Sequence, residues 1–160
     1  MRFVACICML MVATAAFAAK DMSRMCETCF DIDATIFPTP VFQTISGTTI
    51  GQPNSEYAYG FCAEQGGTYT FTFCQGGGNA GYDSALSIQG PTTCGVYLSC
   101  VDDFCGLQTE LSWTASGDGN YIIVVDGFSS NVGDYTLAYR GPECVTPAEN
   151  STWSTVKTLY

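Results

Sequence analysis

The stretch GDGNYIIVVDGFSSNVGDYTLAYRG, residues 117–141, contains two apolar runs separated by a polar connection. The first run, residues 121–125, is apolar at every position, which predicts a strand in the middle of a sheet with both faces covered. The second run, residues 135–139, alternates between apolar and small or polar residues. Glycines, serines and an asparagine between the runs suit a turn. We therefore expect a long hairpin, in which Asp126 and Asp134 serve first as turn residues.

Period-two alternation recurs along the chain and predicts further half-buried strands. In TYTFTF, residues Tyr69, Phe71 and Phe73 share one face and threonines take the other. The segments EYAYGF, YDSALSI, VYLSC and TELSWTA read as strands as well, and FQTISGTTIG reads as one strand or an edge hairpin. Gly-rich segments such as QGGGNAG separate the runs. This spacing predicts an all-β fold, an antiparallel two-sheet β-sandwich that is jelly-roll-like.

The N-terminus predicts export. Arg2 is followed by FVACICMLMVATAAF, an apolar run of signal-peptide length, and Ala16-Phe17-Ala18 forms a small-x-small cleavage signal. A membrane span would need roughly 20 apolar residues, so we expect no membrane insertion. We predict a signal peptide at residues 1–18, a single β-sandwich domain at 19–144, a polar tail at 145–160 and a secreted, extracellular protein. Asn150 begins an Asn-Ser-Thr sequon, which a eukaryotic host would recognise for glycosylation.

Cysteine usage is typical of the same compartment. Of ten cysteines, two leave with the signal peptide, and an even number in an exported chain indicates structural disulfides. The segment Cys26-Glu27-Thr28-Cys29 has the C-x-x-C form, but a zinc site would need a second pair or histidines, and the chain has no histidine. We expect a disulfide-stabilised fold whose connectivity the sequence leaves open. The candidate half-cystines are Cys26, Cys29, Cys62, Cys74, Cys94, Cys100, Cys105 and Cys144.

The acidic balance excludes some partners and suggests one ligand. A formal net charge of −10 disfavours nucleic acid and anionic membranes. Such a charge often only keeps an exported protein soluble, whereas calcium is the specific alternative because hard cations bind carboxylate oxygens. The adjacent carboxylates of Asp102 and Asp103 would repel each other unless something compensates them. The candidate calcium ligands, all at predicted strand ends or in loops, are Asp83, Asp102, Asp103, Asp126 and Asp134.

The residues offer no catalytic centre. Without histidine, neither a Ser-His-Asp triad nor a Cys-His pair can form, and no signature selects two aspartates for hydrolysis. We therefore predict that the protein is not an enzyme and requires no cofactor. Most aromatic residues occupy inward strand positions and read as core. Tyr97, Phe104 and Phe128 lie beside loops, where we expect them to be exposed and able to stack on a sugar ring.

The order of these motifs resembles that of the bacterial pre-peptidase C-terminal domain, in its cysteine-containing secreted form. The resemblance covers residues 26–141 and includes GTYTF at 67–71, DSAL at 83–86, the pair Asp102-Asp103, and the closing runs within 121–137. It implies a β-sandwich that serves exported enzymes as an accessory module. It further implies adhesion to collagen or polysaccharide, assistance in secretion and, in some members, calcium binding.

Together these observations predict a secreted, non-catalytic binding, adhesion or accessory module that faces an extracellular protein or polysaccharide surface. Two alternatives remain open. One is a structural domain that depends on calcium, and the other is a carbohydrate-binding module.

Overall fold

Ten β-strands and one 3-10 turn make up the regular structure in a computed structural model that describes residues 29, 31–90, 94 and 97–144. The predicted signal peptide, Cys26, Asn150 and the tail 145–160 lie outside these residues. Among the described residues, no helix is long and apolar enough to cross a membrane. The 3-10 turn is Pro53–Ser55. The strands are β1 (Ala34–Thr35), β2 (Gln43–Thr48), β3 (Tyr57–Ala63), β4 (Thr68–Thr72), β5 (Asn79–Ala80), β6 (Ser84–Gln89), β7 (Tyr97–Asp102), β8 (Glu110–Thr114), β9 (Gly119–Gly127) and β10 (Asp134–Arg140).

The strands form two sheets that pack face to face. The β9 sheet has the order β1-β3-β9-β6-β7, and the β10 sheet has the order β2-β10-β4-β8, with β5 also paired to β10. Every described pair is antiparallel except β1 with β3, which is parallel. The predicted antiparallel two-sheet β-sandwich is therefore confirmed, and FQTISGTTIG supplies the edge strand β2.

The hairpin predicted for residues 117–141 is wrong. Strand β9 pairs with β3 and β6, whereas β10 pairs with β2, β4 and β5 in the opposite sheet. The connection between them therefore crosses from one sheet to the other instead of folding a strand back on its neighbour. It turns tightly, because the backbone N–H and the side-chain amide of Asn131 both donate to the Phe128 carbonyl, at 3.1 and 2.8 Å. A Cβ at Gly127 would collide with the Asn131 carbonyl, so only glycine fits there.

The core lies between the sheets and is rich in aromatic residues. Tyr69 and Phe71 of β4 and Phe73, which follows it, are fully buried, as their alternation predicts. Phe61 of the β9 sheet meets Tyr69 and Phe71 of the β10 sheet, with ring centroids 5.4 and 5.0 Å apart. Burial of each such side chain contributes about 1.5–3 kcal/mol. These inter-sheet contacts fix how the two layers face each other.

Two tyrosine hydroxyls meet inside the sandwich. Tyr59 of β3 and Tyr135 of β10 are buried, and their hydroxyl oxygens lie 2.8 Å apart. Burial, only partly offset by this hydrogen bond, raises the pKa of Tyr59 to about 12. Burial also raises the pKa of Tyr135, and the bond to Tyr59 adds to that increase. The Tyr135 hydroxyl occupies the space where residue 47 would carry a Cβ, so β2 needs Gly47.

The outer face of the β9 sheet is covered, as the uninterrupted apolar run predicts. Ala58, Ile122 and Val124 on this face are fully buried and cluster with Cys29. The backbone N–H of Cys29 donates to Oε1 of Gln89 at 3.1 Å, which places the start of the described chain against this face. Strand β9 is thus central in its sheet and apolar on both sides.

Three disulfides join distant parts of the described chain. They are Cys29–Cys94, Cys62–Cys144 and Cys74–Cys105. Cys100 is disulfide-bonded as well. The structural role predicted for these seven cysteines is therefore confirmed, and the fold is stabilised by disulfides.

Candidate functional site

Three of the five predicted aspartates converge at one end of the β9 sheet. Asp83 directly precedes β6, Asp102 ends β7 and Asp103 follows it. The antiparallel pairing of Ala85 with Asp102 sets the start of β6 against the end of β7. As a result, one carboxylate oxygen from each aspartate lies within 4.8 Å of the oxygens from the other two. We call these three residues the carboxylate cluster.

The cluster borders a loop that the fold holds firmly, residues 103–109, which we call the clamped loop. The disulfide Cys74–Cys105 ties it to the segment after β4. The Leu107 carbonyl accepts a hydrogen bond from the Ser84 backbone at 2.9 Å, and Nε2 of Gln108 donates to the Ala80 carbonyl at 2.6 Å. Asp103 adopts a φ of 56°, in the left-handed region that aspartate tolerates better than most residues. Covalent and backbone contacts therefore fix the shape of this loop.

The clamped loop carries two exposed apolar side chains. Phe104 is 62% exposed and Leu107 is 63% exposed. Tyr97, at the opposite end of β7, is 48% exposed, so the exposure predicted for Tyr97 and Phe104 is confirmed. Leu107 was not predicted, because a single leucine in a loop has no periodicity to mark it; its position just after Cys105 was the available signal. Large apolar side chains on a rigid, exposed loop are typical of binding sites.

The exposure predicted for Phe128 is wrong. Phe128 is only 7% exposed and packs against Ala85, beside the half-buried Cys100. Its backbone N–H donates to the Asp83 carbonyl at 2.9 Å. That bond draws the turn after β9 onto the outer face of the β9 sheet, so the ring completes the cover of that face and cannot stack on a ligand in this conformation.

The structure does not bring Asp126 or Asp134 into the carboxylate cluster. Asp126 is buried on β9, where its Oδ1 accepts a hydrogen bond from the Gly127 backbone at 2.7 Å. Because this bond joins adjacent residues within β9, the turn-forming role expected for Asp126 stays a prediction. Asp134 is exposed and begins β10 in the opposite sheet, paired with Thr48.

The carboxylate cluster fits a hard divalent cation. Calcium binds oxygens at about 2.3–2.6 Å, so two oxygens on opposite sides of the ion lie about 4.6–5.2 Å apart. The three carboxylate oxygens of the cluster lie within 4.8 Å of one another, which matches this separation. Asp83 and Asp102 are half-buried and Asp103 is exposed, so an ion would have one side open to solvent. Carboxylates of Asp83, Asp102 and Asp103 would supply part of the six to eight oxygens that calcium takes.

Comparisons with known proteins give the fold. No protein-family model and no curated protein matches the sequence. Among solved structures, the chain is similar to the pre-peptidase C-terminal domain of collagenase from Bacillus anthracis, with a TM-score of 0.50 and 17% identity over 71% of this chain and 100% of that domain.

The chain is also similar to two periplasmic lysozyme inhibitors of g-type lysozyme. The inhibitor from Aeromonas hydrophila has a TM-score of 0.47 and 15% identity over 68% of this chain and 98% of its own. The inhibitor from Salmonella Typhimurium has a TM-score of 0.46 and 15% identity over 69% of this chain and 99% of its own. At such identities the likeness concerns the fold alone. The resemblance inferred from the motifs holds at that level: this chain has the β-sandwich fold of a pre-peptidase C-terminal domain.

Proposed function

We propose that this protein is an exported, non-catalytic binding module that contacts an extracellular protein or polysaccharide through the clamped loop. The absence of histidine from the sequence rules out a Ser-His-Asp triad and a Cys-His pair. The seven cysteines that the structure describes are all disulfide-bonded, which also supports a non-catalytic role. The fold it shares with an accessory domain of a collagenase supports a role in binding.

One observation carries this proposal: Phe104 and Leu107 are exposed on a loop held by a disulfide and by backbone hydrogen bonds. Exposure of two large apolar side chains to water is unfavourable. A partner that covers them gains the free energy of removing this apolar surface from water. Because the loop is already ordered, binding loses little conformational entropy. Aromatic side chains in such positions often dominate the affinity of an interface.

The test is co-sedimentation of the secreted protein with insoluble collagen, chitin or cellulose. We expect retention by one class of polymer and at least about a tenfold loss of affinity in Phe104→Ser or Leu107→Ser. The matched control is Phe37→Ser, which removes an exposed phenylalanine next to the strand at the opposite edge of the β9 sheet. Equal retention of all variants, or hydrolysis of a polymer by the purified protein, would contradict the proposal.

The polymer that retains the protein separates two forms of this proposal. Retention by chitin or cellulose indicates a carbohydrate-binding module, in which Tyr97 joins Phe104 as an exposed ring able to stack on a sugar. Under that form, Tyr97→Ser weakens retention as well. Retention by collagen alone indicates a protein partner.

A second candidate function, a structural domain that depends on calcium, is favoured by the carboxylate cluster. A calcium ion bound by Asp83, Asp102 and Asp103 would neutralise their mutual repulsion and link β6 to the clamped loop. Calcium at a hundred times its dissociation constant stabilises a protein by about 2.7 kcal/mol. For a domain of this size we expect the thermal midpoint to rise by roughly 5–10 °C over that in chelator.

The variant Asp102→Asn should abolish this calcium-dependent shift, whereas Asp134→Asn, at an exposed position in the opposite sheet, should preserve it. Identical midpoints in calcium and in chelator would rule out the calcium-dependent form while leaving the binding proposal intact.

A further inference from the structure

The outer face of the β10 sheet carries one positive charge, that of Arg140 at the end of β10. The full sequence has 15 acidic and only 5 basic residues, and Arg140 is the one basic residue in the part of the chain that the structure describes. Its side chain is exposed and points outward, because Tyr139 before it faces the core. Its guanidinium forms neither an ion pair nor a hydrogen bond with another described residue. This positive charge is therefore available to a ligand.

The ring of Phe42 positions the guanidinium. The guanidinium carbon of Arg140 lies 4.6 Å from the ring centroid, a distance at which a cation is attracted to the face of an aromatic ring. The ring packs on Gly76, where an added Cβ would lie only 2.6 Å from Cγ of Phe42. Because phenylalanine has no acceptor oxygen, this contact restricts the Arg140 side chain and leaves its N–H donors to a ligand. A side chain that is already restricted loses less conformational entropy on binding.

A groove of about 440 Å³ lies beside Arg140, within the ~300–1,000 Å³ that is typical of small-ligand sites. Its lining residues are Pro40, Thr68, Thr70, Arg140, Gly141 and Pro142. The backbone N–H of Gly141 donates to the Thr39 carbonyl at 2.9 Å, and an added Cβ at Gly141 would collide with the Tyr69 ring. Backbone contacts therefore set the shape of the groove before any ligand binds.

Paired hydroxyls and two proline rings complete the groove. Thr68 is exposed, and its Oγ1 lies 3.0 Å from Oγ1 of Thr114, which is exposed as well. In such a pair one hydroxyl donates and the other accepts, so one hydroxyl hydrogen and several lone pairs remain for a ligand. Pro40 and Pro142 add apolar surface. The groove thus combines a cation, hydroxyls that donate and accept, and apolar rings.

We propose that this groove binds an acidic sugar, a hexuronate carried by an otherwise neutral glycan. The planar guanidinium of Arg140 holds both oxygens of the uronate carboxylate through two parallel hydrogen bonds. The Thr68–Thr114 pair bonds to hydroxyls of the sugar, and Pro40 and Pro142 pack on its C–H groups. None of the lining residues belongs to the clamped loop, so this site does not depend on the binding role proposed for that loop.

The charge of the protein limits how acidic the glycan can be. A formal net charge of −10 repels a polyanion, whereas a single carboxylate on Arg140 forms charge-assisted hydrogen bonds. The site therefore favours isolated uronates over a polyuronate. The hydroxyl lining favours a sugar over a peptide terminus, because threonine hydroxyls both donate and accept hydrogen bonds, as sugar hydroxyls do.

An NMR titration of the wild-type chain with two disaccharides tests this site. Cellobiouronic acid differs from cellobiose only in a carboxylate that replaces a hydroxymethyl group. We expect cellobiouronic acid to cause saturable shifts of the Arg140 side-chain and Thr68 amide signals, with an affinity at least about tenfold higher than that of cellobiose for the same groove. Equal affinities, or shifts that leave the Arg140 and Thr68 signals unaffected, would overturn the proposal.

Two variants then assign the binding to Arg140. Arg140→Gln keeps hydrogen-bond donors but removes the charge, and it should lower the affinity for cellobiouronic acid to that for cellobiose. The matched control Phe104→Ser, on the clamped loop, should bind cellobiouronic acid as the wild type does. Binding that survives Arg140→Gln, or that is lost in Phe104→Ser, would contradict the proposal. Since polymer retention through the clamped loop does not require Arg140, the two proposals fail separately.

Two further ligands test the chemistry of the carrier. Acetyl-Gly-Gly has a carboxylate without a sugar, and tetragalacturonate has four uronates in a row. We expect both to bind at Arg140 more weakly than cellobiouronic acid does, because one lacks sugar hydroxyls and the other is repelled by the acidic protein. Equal or tighter binding of acetyl-Gly-Gly would assign the groove to a peptide terminus, and equal or tighter binding of tetragalacturonate would assign it to polyuronates. Either result would overturn the proposal.

Discussion

The outer faces of the two sheets differ sharply. On the outer face of the β9 sheet, Ile122 and Val124 are buried and cluster with Cys29. On the β10 sheet, the corresponding face carries hydroxyls that bond across strands, such as Thr68 with Thr114 at 3.0 Å and Thr70 with Ser112 at 3.1 Å. The β9 sheet therefore contributes hydrophobic burial on both sides, whereas the outer face of the β10 sheet is lined by hydroxyl groups that bond to one another, a difference already present in the letters YIIVV and TYTFT.

The contrast is weaker along β4. Thr70 is only 6% exposed and Thr72 is fully buried, although both lie on the hydroxyl face, where alternation predicts exposure. Oγ1 of Thr72 accepts a hydrogen bond from the Cys74 backbone at 2.9 Å, because the chain turns back immediately after the strand. Burial of a single strand residue thus depends on the loop that follows it as well as on its parity.

The largest effect should come from placing a charge on the covered face. Val124→Asp would bury a carboxylate among Ala58, Ile122 and Cys29, and we expect a loss of more than about 4 kcal/mol in the free energy of unfolding. The matched change Thr114→Asp on the exposed face of the β10 sheet should cost less than about 1 kcal/mol. Urea unfolding measures both, and similar losses would show that the two faces are not different environments.

Removal of disulfides should rank second. The bridge Cys29–Cys94 holds the cover of the β9 sheet, and its replacement by two alanines should cost about 2–4 kcal/mol. The disulfide Cys74–Cys105 closes a shorter loop than Cys29–Cys94 does, with a sequence separation of 31 residues instead of 65. Chain entropy alone makes its expected cost about 0.7 kcal/mol smaller. A larger loss from Cys74–Cys105 would mean that the clamped loop contributes more to the fold than the covered face does.

A smaller effect should appear at alkaline pH and originate between the sheets. Burial raises the pKa of Tyr59 from 10.0 to about 12, so the folded state retains the hydroxyl proton that the unfolded state loses. This contribution to stability is complete below pH 10 and is lost as the pH rises toward 12, by up to about 3 kcal/mol. The double variant Tyr59→Phe and Tyr135→Phe should unfold with a flatter dependence on pH in this range.

At neutral pH the same double variant should be close to the wild type in stability, because both hydrogen-bonding partners are removed together. Tyr59→Phe alone should cost about 1–3 kcal/mol, since it leaves the Tyr135 hydroxyl buried without its partner. If the free energy of unfolding of the double variant fell with rising pH as steeply as that of the wild type, other titrating groups would be responsible for the loss.

Local patterns in the sequence predicted burial far better than they predicted pairing. The run at 121–125 gave the central, doubly covered strand correctly, because an uninterrupted apolar segment has to be buried on both sides. The pairing of β10 was missed because its partners are remote: Ser46 and Thr136, which bond across β2 and β10 at 3.0 Å, are 90 residues apart. The composition of the intervening turn is compatible with a hairpin and with a crossing between sheets.

The candidate site shows the same division. The adjacent pair Asp102 and Asp103 between two cysteines could be recognised from the sequence, but Asp83 joins them only through the register of β6 on β7. Phe104 and Phe128 both lie beside loops, yet only the Phe128 ring is buried, against Ala85 on the outer face of the β9 sheet. Exposure of a loop residue is decided by such tertiary contacts, which leave no trace in periodicity.

Side-chain footprinting of the protein bound to the polymer that retains it would test the binding role of the clamped loop most directly. Hydroxyl radicals oxidise exposed side chains, and binding through this loop predicts strong protection of Phe104 and Leu107 with little change at Phe37 and Val41, which are exposed in the free protein. Protection of Phe37 and Val41 in the bound protein, with Phe104 and Leu107 oxidised as in the free protein, would contradict the account.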